Sequence, residues 1–588
     1  MDSFLEILTK HVSLAFEKAG YTSTLGNVSI SNRPDLCEYQ CNGALLGAKQ
    51  YKKSPLLIAS EVLAQLNNDN IFEKITVASP GFLNLIVDKD FLLDYINQMY
   101  NLPKFGLKAQ TPPKTIVLDY GGPNVAKPLH VGHLRPAIIG ESVKRIERYF
   151  GNIVIGDVHL GDWGMPMGLI IAELQLRKPN LIYFDESFTG KYPDTAPFTI
   201  SELEEIYPTA SAKSKSDPDF KNMAMQITAE LQNGNPGYRA IWRHILDISV
   251  EDLKNNYSKL DVSFDLWLGE SDAAKYIPDM IEKMKTDGFA HLSDGALVVD
   301  VEEETDKKSI PPCMLLKSDG ATLYDTTDVA TILQRVHDFN PNSIVYVVDK
   351  RQELHFQQVF RCAKKTGIID EKTDLFFLGF GTMNGKDGKP FKTRDGGVMR
   401  LESLLEQVNH VMKEKISFSD NINPSEVEET VHKISLAAIK YGDLSNQANK
   451  DYIFDVEKFT SFEGNTGPYI LYTIVRINSI LEKNQELGES INNTILQSAS
   501  SIYEKQLELT LVKFNFVLEE VLNELAPHKL CAYLYELSNT FNTFYHNTRI
   551  LAEKNNERRH SWITLIHFTK QILECGIDLL GFSSPKRM

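Results

Sequence analysis

Two imidazoles three residues apart, His130 and His133, stand where a strand pattern gives way to a helix pattern. Thr115–Tyr120 is β-branched and apolar, as a buried strand requires. Gly121, Gly122 and Pro123 break it. Ile139, Val143, Ile146 and Phe150 then recur at helical spacing, and Gly151 is placed to end the helix. The histidines therefore fall at the positive end of a helix dipole, where their N–H groups can donate to triphosphate oxygens. Gly132 between them lets a nucleotide ring approach the backbone. Taken alone, His-x-Gly-His reads equally as a turn followed by a solvated histidine. The strand–loop–helix setting favours the nucleotide reading.

A second cluster lies further on. Between Gly385 and Gly397, Lys386, Lys389, Lys392 and Arg394 alternate with four glycines. Such a loop can clamp a triphosphate, although a charged hairpin tip is the plainer reading of that composition. Tyr324 and Asp328 are four apart, hence on one face of a helical turn. Other nucleotide and hydrolase signatures are missing: no phosphate-binding Gly-Lys-Ser/Thr loop, no His-Glu-x-x-His and no Gly-x-Ser-x-Gly. Gly379, Gly381 and Gly385 miss the dinucleotide fingerprint by one residue and open no helix.

The elements that must position these groups fall into three units. Residues 1–110 combine an amphipathic helix (Phe4, Leu5, Leu8, Val12, Phe16), helical stretches at Ser54–Leu66 and Phe91–Met99, and a strand at Gly81–Val87. Pro103 and the tract Thr111–Lys114 read as its exit linker. Residues 111–420 alternate strand and helix, which implies a parallel α/β sheet. Its first half holds Thr115–Tyr120 and Ile153–His159, and its second holds Ser343–Val348, a helix Gln352–Lys365 and Leu375–Phe380. A connective insertion of about 180–320 separates the halves and carries the solvated charge run Glu302–Glu304. Residues 421–588 read as a helix bundle of Val431–Leu444, Tyr469–Lys483, Ser500–Leu525, Pro527–Asn547 and Trp562–Leu580.

Composition narrows the class. With 588 residues and 42% hydrophobic content the chain can bury several cores. A net charge of −16 argues against non-specific adhesion to nucleic acid or membrane, but a local basic stripe can still bind RNA. Cys37 and Cys41 are four apart with no second pair at zinc-ligand spacing, so reduced thiols in a cytoplasmic protein are expected. The N-terminal helix has charges throughout and is neither a signal peptide nor a membrane span.

The tract Asp119–Arg135 resembles the HIGH signature of class I aminoacyl-tRNA synthetases, and Pro123-Asn-Val-Ala-Lys127 resembles the arginyl-tRNA synthetases in particular. The Gly385–Gly397 loop is similar to a degenerate KMSKS signature. Pro390 stands where its first lysine would be, and Arg394 replaces its final residue. Lys127 occupies the place of the family's compensating lysine. Leu316–Ala330 looks like the family's arginine-pocket stretch, and Gly161-Asp162-Trp163-Gly164 like an element beside its active site, although Met165-Pro166-Met167 departs from the usual Thr-Gln-Phe. The segment from Glu38 to Phe82 resembles the N-terminal additional domain, which meets the tRNA elbow. Phe462–Tyr469 and Cys531–Tyr545 resemble the anticodon-binding bundle.

The resemblance implies a small α+β N-terminal domain, a class I Rossmann-type core with insertion, and an all-α anticodon-binding bundle. It implies adenylation of arginine by ATP with Mg2+, then transfer to tRNA(Arg), by a monomer. His130, His133, Lys127, Lys389 and Lys392 would stabilise charge, and no metal-ligand set is expected. Pro123, Gly132, Met383, Phe391, Lys392 and Thr393 would join the histidines around ATP. A guanidinium calls for buried carboxylates and aromatic faces. Asp119, Asn124, Tyr324, Asp328 and Gln352 would bind arginine, with Asp328 as the bidentate partner. Asn42, Tyr469 and Tyr535 would meet tRNA. Two other classes remain: a small-molecule nucleotidyltransferase, which would survive loss of residues 471–588, and a non-catalytic tRNA-binding paralogue, which would be expected to lose the histidines.

Overall fold

The computed structural model describes residues 1–66, 70–389, 399–416, 423–486 and 495–588. The first helix, Phe4–Lys18, is closed by a Ser3/Glu6 capping box, and its apolar stripe (Phe4, Leu8, Val12, Phe16) is buried. It packs with an antiparallel sheet of order β1-β2-β4-β3, made of β1 (Val28–Ile30), β2 (Tyr39–Cys41), β3 (Phe72–Ala78) and β4 (Phe82–Val87). The helix Lys89–Asn101 leads out of this unit and docks on the C-terminal helices. Asn97 accepts from the Leu496 N–H at 3.0 Å, and Lys505 pairs with Glu38 at 2.7 Å.

The central sheet opens with β5 (Thr115–Tyr120) and β6 (Ile153–Asp157), joined by the helix Leu134–Tyr149. The insertion follows as a group of helices that includes Ile200–Ser216 and Pro236–Ser258. Its end is an antiparallel sheet of β7 (Ala290–Ser293), β8 (Ala296–Val299) and β9 (Cys313–Leu316), with 302–305 exposed between β8 and β9. The helix Tyr324–Phe339 leads back to β10 (Ser343–Asp349), and the helix Glu353–Lys365 to β11 (Asp374–Phe380). The order is β11-β10-β5-β6, all parallel. The chain leaves β5 and β10 toward opposite edges, so a crevice opens beyond their carboxyl ends. His130 follows β5, and Gln352 follows β10.

One apolar stripe was expected on the helix Leu134–Tyr149, yet 13 of its 16 residues are buried. The far side is wrapped by the bundle, and its charged groups are neutralised locally. Glu141 pairs with Lys144 and Arg145, each at 2.8 Å, and Arg135 with Asp443 at 2.9 Å. In the C-terminal unit the helices Val427–Leu444, Gly467–Glu486, Pro527–Asn547 and Asn556–Leu579 match the expected stretches. The stretch 500–525 is instead two helices, Ile502–Leu511 and Phe514–Glu524. Just before the break the Thr510 hydroxyl bonds back to the Gln506 carbonyl at 2.8 Å. No helix among the described residues is long and apolar enough to cross a membrane.

Candidate active site

The histidine pair is built by the backbone. Val131–His133 form a tight 3-10 turn that runs straight into Leu134–Tyr149. The His130 N–H donates to His133 Nδ1 at 3.1 Å, and the Gly132 N–H donates to His130 Nδ1 at 3.1 Å. The two rings stack with centroids 3.9 Å apart. Each Nδ1 is an acceptor, so each neutral ring carries its proton on Nε2 and can donate there. Burial, with His130 and Lys127 nearby, pushes His133 down to about 3. Burial and Lys127 also hold His130 below its usual value. Lys127 lies over the Tyr207 ring of the insertion at 4.4 Å, beside both histidines. Gly132 is exposed, and a Cβ there would stand 2.8 Å from His130 Cε1.

The segment after the second signature returns to this turn. His130 bridges Arg400 in antiparallel fashion, the Val131 N–H donates to the Met399 carbonyl at 3.0 Å, and the Leu401 N–H to the Leu129 carbonyl at 2.9 Å. Lys389 is exposed on the near side of the loop, where its carbonyl accepts from the Gly385 N–H at 2.8 Å. Met383 is buried in β12 (Met383–Asn384), paired with β13 (Tyr452–Ile453). Pro123 is buried at the end of β5. Phe391, Lys392 and Thr393 lie outside the described residues.

Across the crevice, Tyr324 opens its helix with its ring 68% exposed, and Asp328 follows one turn later on the same face. Asp328 is thus inside the helix rather than at its cap. Its Oδ2 lies 2.5 Å from His355 Nε2, and His355 Nδ1 lies 2.7 Å from Asp325 Oδ1. Burial opposes a charged imidazole, but Asp325 and Asp328 outweigh it and raise His355 to about 9. Asn124 sits in a parallel bridge with Gly161. A Cβ at residue 161 would come 2.3 Å from Asn124 Oδ1, so the glycine of the Gly-Asp-Trp-Gly element makes room for that amide. Gln352 is exposed at the end of the turn after β10.

Asp119 has a partner inside the chain. Its carboxylate is buried and accepts from Arg335 Nη2 at 2.7 Å, the same nitrogen that reaches Asp157 at 2.8 Å. Arg335 is on the same helix as Asp328, and its guanidinium lies 5.3 Å from the Tyr346 ring. Asp119 therefore fixes the floor of the crevice.

Sequence reasoning missed Glu270. Burial, with Asp162 and Asp328 nearby, pushes its carboxyl up to about 8, and no ion pair offsets it among the described residues. Asp162 holds the loop that presents Glu270: it accepts from the Ser271 N–H at 3.0 Å and from the Ser271 hydroxyl at 2.5 Å. Trp163 meets Trp242 edge-on, with Arg239 over both rings. The element thus acts by positioning. No periodicity marks Glu270; its nearness to Asp328 exists only in three dimensions.

Far from the crevice, Tyr469 is half-buried, with its hydroxyl donating to Asn539 at 2.7 Å and its ring 5.8 Å from that of Tyr535. It lines a cleft of about 600 Å3 together with Lys415, Phe462, Tyr472, Arg476 and His546. Arg476 stacks on Tyr472 at 4.8 Å. Tyr472 and Arg476 are an aromatic face and a cation that the sequence reading left out. Asn42 is exposed at the start of the helix Gly43–Tyr51 in the N-terminal unit.

Comparison with known proteins agrees with this architecture. Residues 98–456 match the tRNA synthetases class I (R) catalytic domain, 470–588 the DALR anticodon binding domain, and 6–87 the arginyl tRNA synthetase N terminal domain. A protein of Agathobacter rectalis named arginine–tRNA ligase is 58% identical, with 100% of each chain covered. One of the same name from Alkaliphilus oremlandii is 55% identical, over 99% of this chain and 100% of that one. The crystal structure of arginyl-tRNA synthetase from Plasmodium falciparum superposes with a TM-score of 0.83 at 26% identity, covering 100% of both chains. That of Thermus thermophilus gives a TM-score of 0.79 at 21% identity, also over 100% of both, and so shares the fold. With a histidine turn and an acid-lined crevice at the carboxyl ends of a parallel sheet, and all three domain matches in order, the chain belongs to the class I arginyl-tRNA synthetases.

Proposed function

We propose that this chain ligates arginine to tRNA(Arg) in two steps. The arginine carboxylate attacks the α-phosphorus of ATP, forming arginyl-adenylate and releasing pyrophosphate. The terminal ribose hydroxyl of the tRNA then attacks the arginyl carbonyl and releases AMP. No protein nucleophile takes part. Catalysis is alignment of the reactants and stabilisation of phosphate charge by preorganised donors. His130 and His133 supply neutral Nε2–H donors, and Lys127, Lys389 and Lys392 supply cations. Mg2+ arrives on the triphosphate. Pro123, Gly132, Phe391 and Thr393 flank the nucleotide, with Met383 offering its backbone. Asn124 and Gln352 hold the α-amino and carboxylate end. Asp328 pairs with the guanidinium beside the Tyr324 ring, with Glu270 as a second carboxylate, and Asp119 supports them through Arg335.

We assign residues 1–110 to the tRNA elbow through Asn42, 111–420 to chemistry, and 421–588 to the anticodon arm through the cleft at Tyr469 and the neighbouring Tyr535. The protein acts as a monomer. One observation supports the reading: the turn with its two neutral donors follows β5, and the turn that leads into His355, bonded to Asp328, follows β10, at the carboxyl ends of adjacent parallel strands. Calorimetry of Asp328→Asn tests it. Arginine binding should weaken by about 2–5 kcal/mol, as when a buried ion pair loses a partner, with ATP binding unmoved. Unchanged arginine binding would remove Asp328 from the pocket.

A further inference from the structure

His355 stands at the first turn of the helix Glu353–Lys365, three residues after Gln352. Its two ring nitrogens are both spent on carboxylates: Nε2 on Asp328 Oδ2 at 2.5 Å and Nδ1 on Asp325 Oδ1 at 2.7 Å. A neutral imidazole has one N–H and one lone pair, and a lone pair facing a carboxylate is repelled. Both contacts are favourable only for the doubly protonated ring. Asp325 is anchored in turn, since its Oδ2 accepts from the Met314 N–H on β9 at 3.3 Å. A continuous chain therefore runs from the β9 backbone through Asp325 and His355 to Asp328. Asp328 Oδ1 accepts no hydrogen bond among the described residues. Three carboxyl groups, of Asp325, Asp328 and Glu270, are gathered in this region, and His355 is the cation set among them.

We propose that His355 is a positioning residue for the substrate guanidinium: bridging Asp325 and Asp328, it fixes the Asp328 carboxylate and reserves Oδ1 for the incoming arginine. The idea rests on the assignment of Asp328 as the guanidinium partner. The ring does not touch the reacting atoms, so its effect belongs in arginine binding. It also links the two sides of the pocket, because Gln352 and His355 lie on one turn while Asp328 lies on the facing helix. Removing His355 frees Asp328 to rotate and restores repulsion among the acids. Removing the Asp325 charge loosens the ring without deleting it.

The test is steady-state charging of tRNA(Arg) by the full chain, varying arginine and ATP separately, for His355→Ala, Asp325→Asn and Asp328→Asn, with thermal unfolding of each. For His355→Ala the KM for arginine should rise about tenfold, the scale on which an orienting partner of a ligand-binding group acts. The KM for ATP and kcat should stay within about threefold, a split that general loosening of the fold would not give. Asp325→Asn should shift arginine KM the same way by less; it decides the matter if His355→Ala does not fold. Arginine KM unchanged in the folded variant while Asp328→Asn raises it would overturn the role of His355 and leave the pocket intact. Unchanged arginine KM in Asp328→Asn would overturn both.

Discussion

At the residue scale, the histidine turn turns on protonation. Backbone N–H groups occupy both Nδ1 atoms, so the rings present Nε2–H donors without a net charge. His133→Ala removes one such donor. It should cost about 2–4 kcal/mol of transition-state stabilisation, with a smaller change in ATP affinity. Rapid-quench kinetics of adenylate formation measures this, and near-native rates in the variant would refute the role. Since His133 titrates only at about 3, it stays neutral through ordinary assay pH, and its own protonation contributes no acid limb there. Glu270 behaves in the opposite way. Its carboxyl, held up at about 8, is mostly protonated at neutral pH before arginine binds. A guanidinium favours the ionised form, so binding near pH 7 should release close to one proton, and arginine affinity should climb as pH rises toward 8. Calorimetry in two buffers of different ionisation heat reads that proton. Its persistence in Glu270→Gln would assign it to another group.

The same residues show how far the site was legible in one dimension. His130 and His133 sit in a short tract where turn residues and helical spacing carry the signal, whereas Asn124, Tyr324 and Asp328 were named through the resemblance of their tracts to the family's. Arg335 reaches Asp119 across 216 positions, and Ser271 reaches Asp162 across 109. Nothing local announces such pairs, so Asp119 read as a substrate contact and Glu270 went unread. His355 was visible beside Gln352, but its bond to Asp328 needs two helices to face each other.

At the scale of elements, the buried helix Leu134–Tyr149 joins the catalytic sheet to the bundle. Arg135 donates through Nε to Asp443 and through Nη1 to the carbonyls of Gly381 and Lys450 at 2.7 and 3.0 Å. One guanidinium thus ties the histidine helix to β11 and to the helix Val427–Leu444. Removing it strands a buried carboxylate. Arg135→Ala should destabilise the fold by about 3–5 kcal/mol, and Arg135→Met with Asp443→Leu should recover much of the loss. Urea unfolding decides; equal losses in the single and double variants would contradict the account. The strands β5 and β10 were readable because buried parallel strands are continuous apolar runs, and the edge strand β11 because its run stays apolar although it is only partly buried. The break between Ile502–Leu511 and Phe514–Glu524 was not, since apolar spacing persists through it.

For the whole molecule, the N-terminal unit rests on the C-terminal helices through Asn97, Lys505 and Asn515. The crevice lies on the central unit, while the Tyr469 cleft is lined mainly by the C-terminal helices, with Lys415 reaching it from the central unit. A nucleotidyltransferase acting on small molecules has no use for the first and last units. The decisive measurement is charging of tRNA(Arg) with each of the twenty amino acids and ATP, by the full chain and by a chain ending at residue 470. Only arginine should be esterified, only by the full chain, with AMP and pyrophosphate formed in equal amounts. Esterification of another amino acid, or ATP cleavage that persists undiminished without residues 471–588 and without tRNA, would contradict the account.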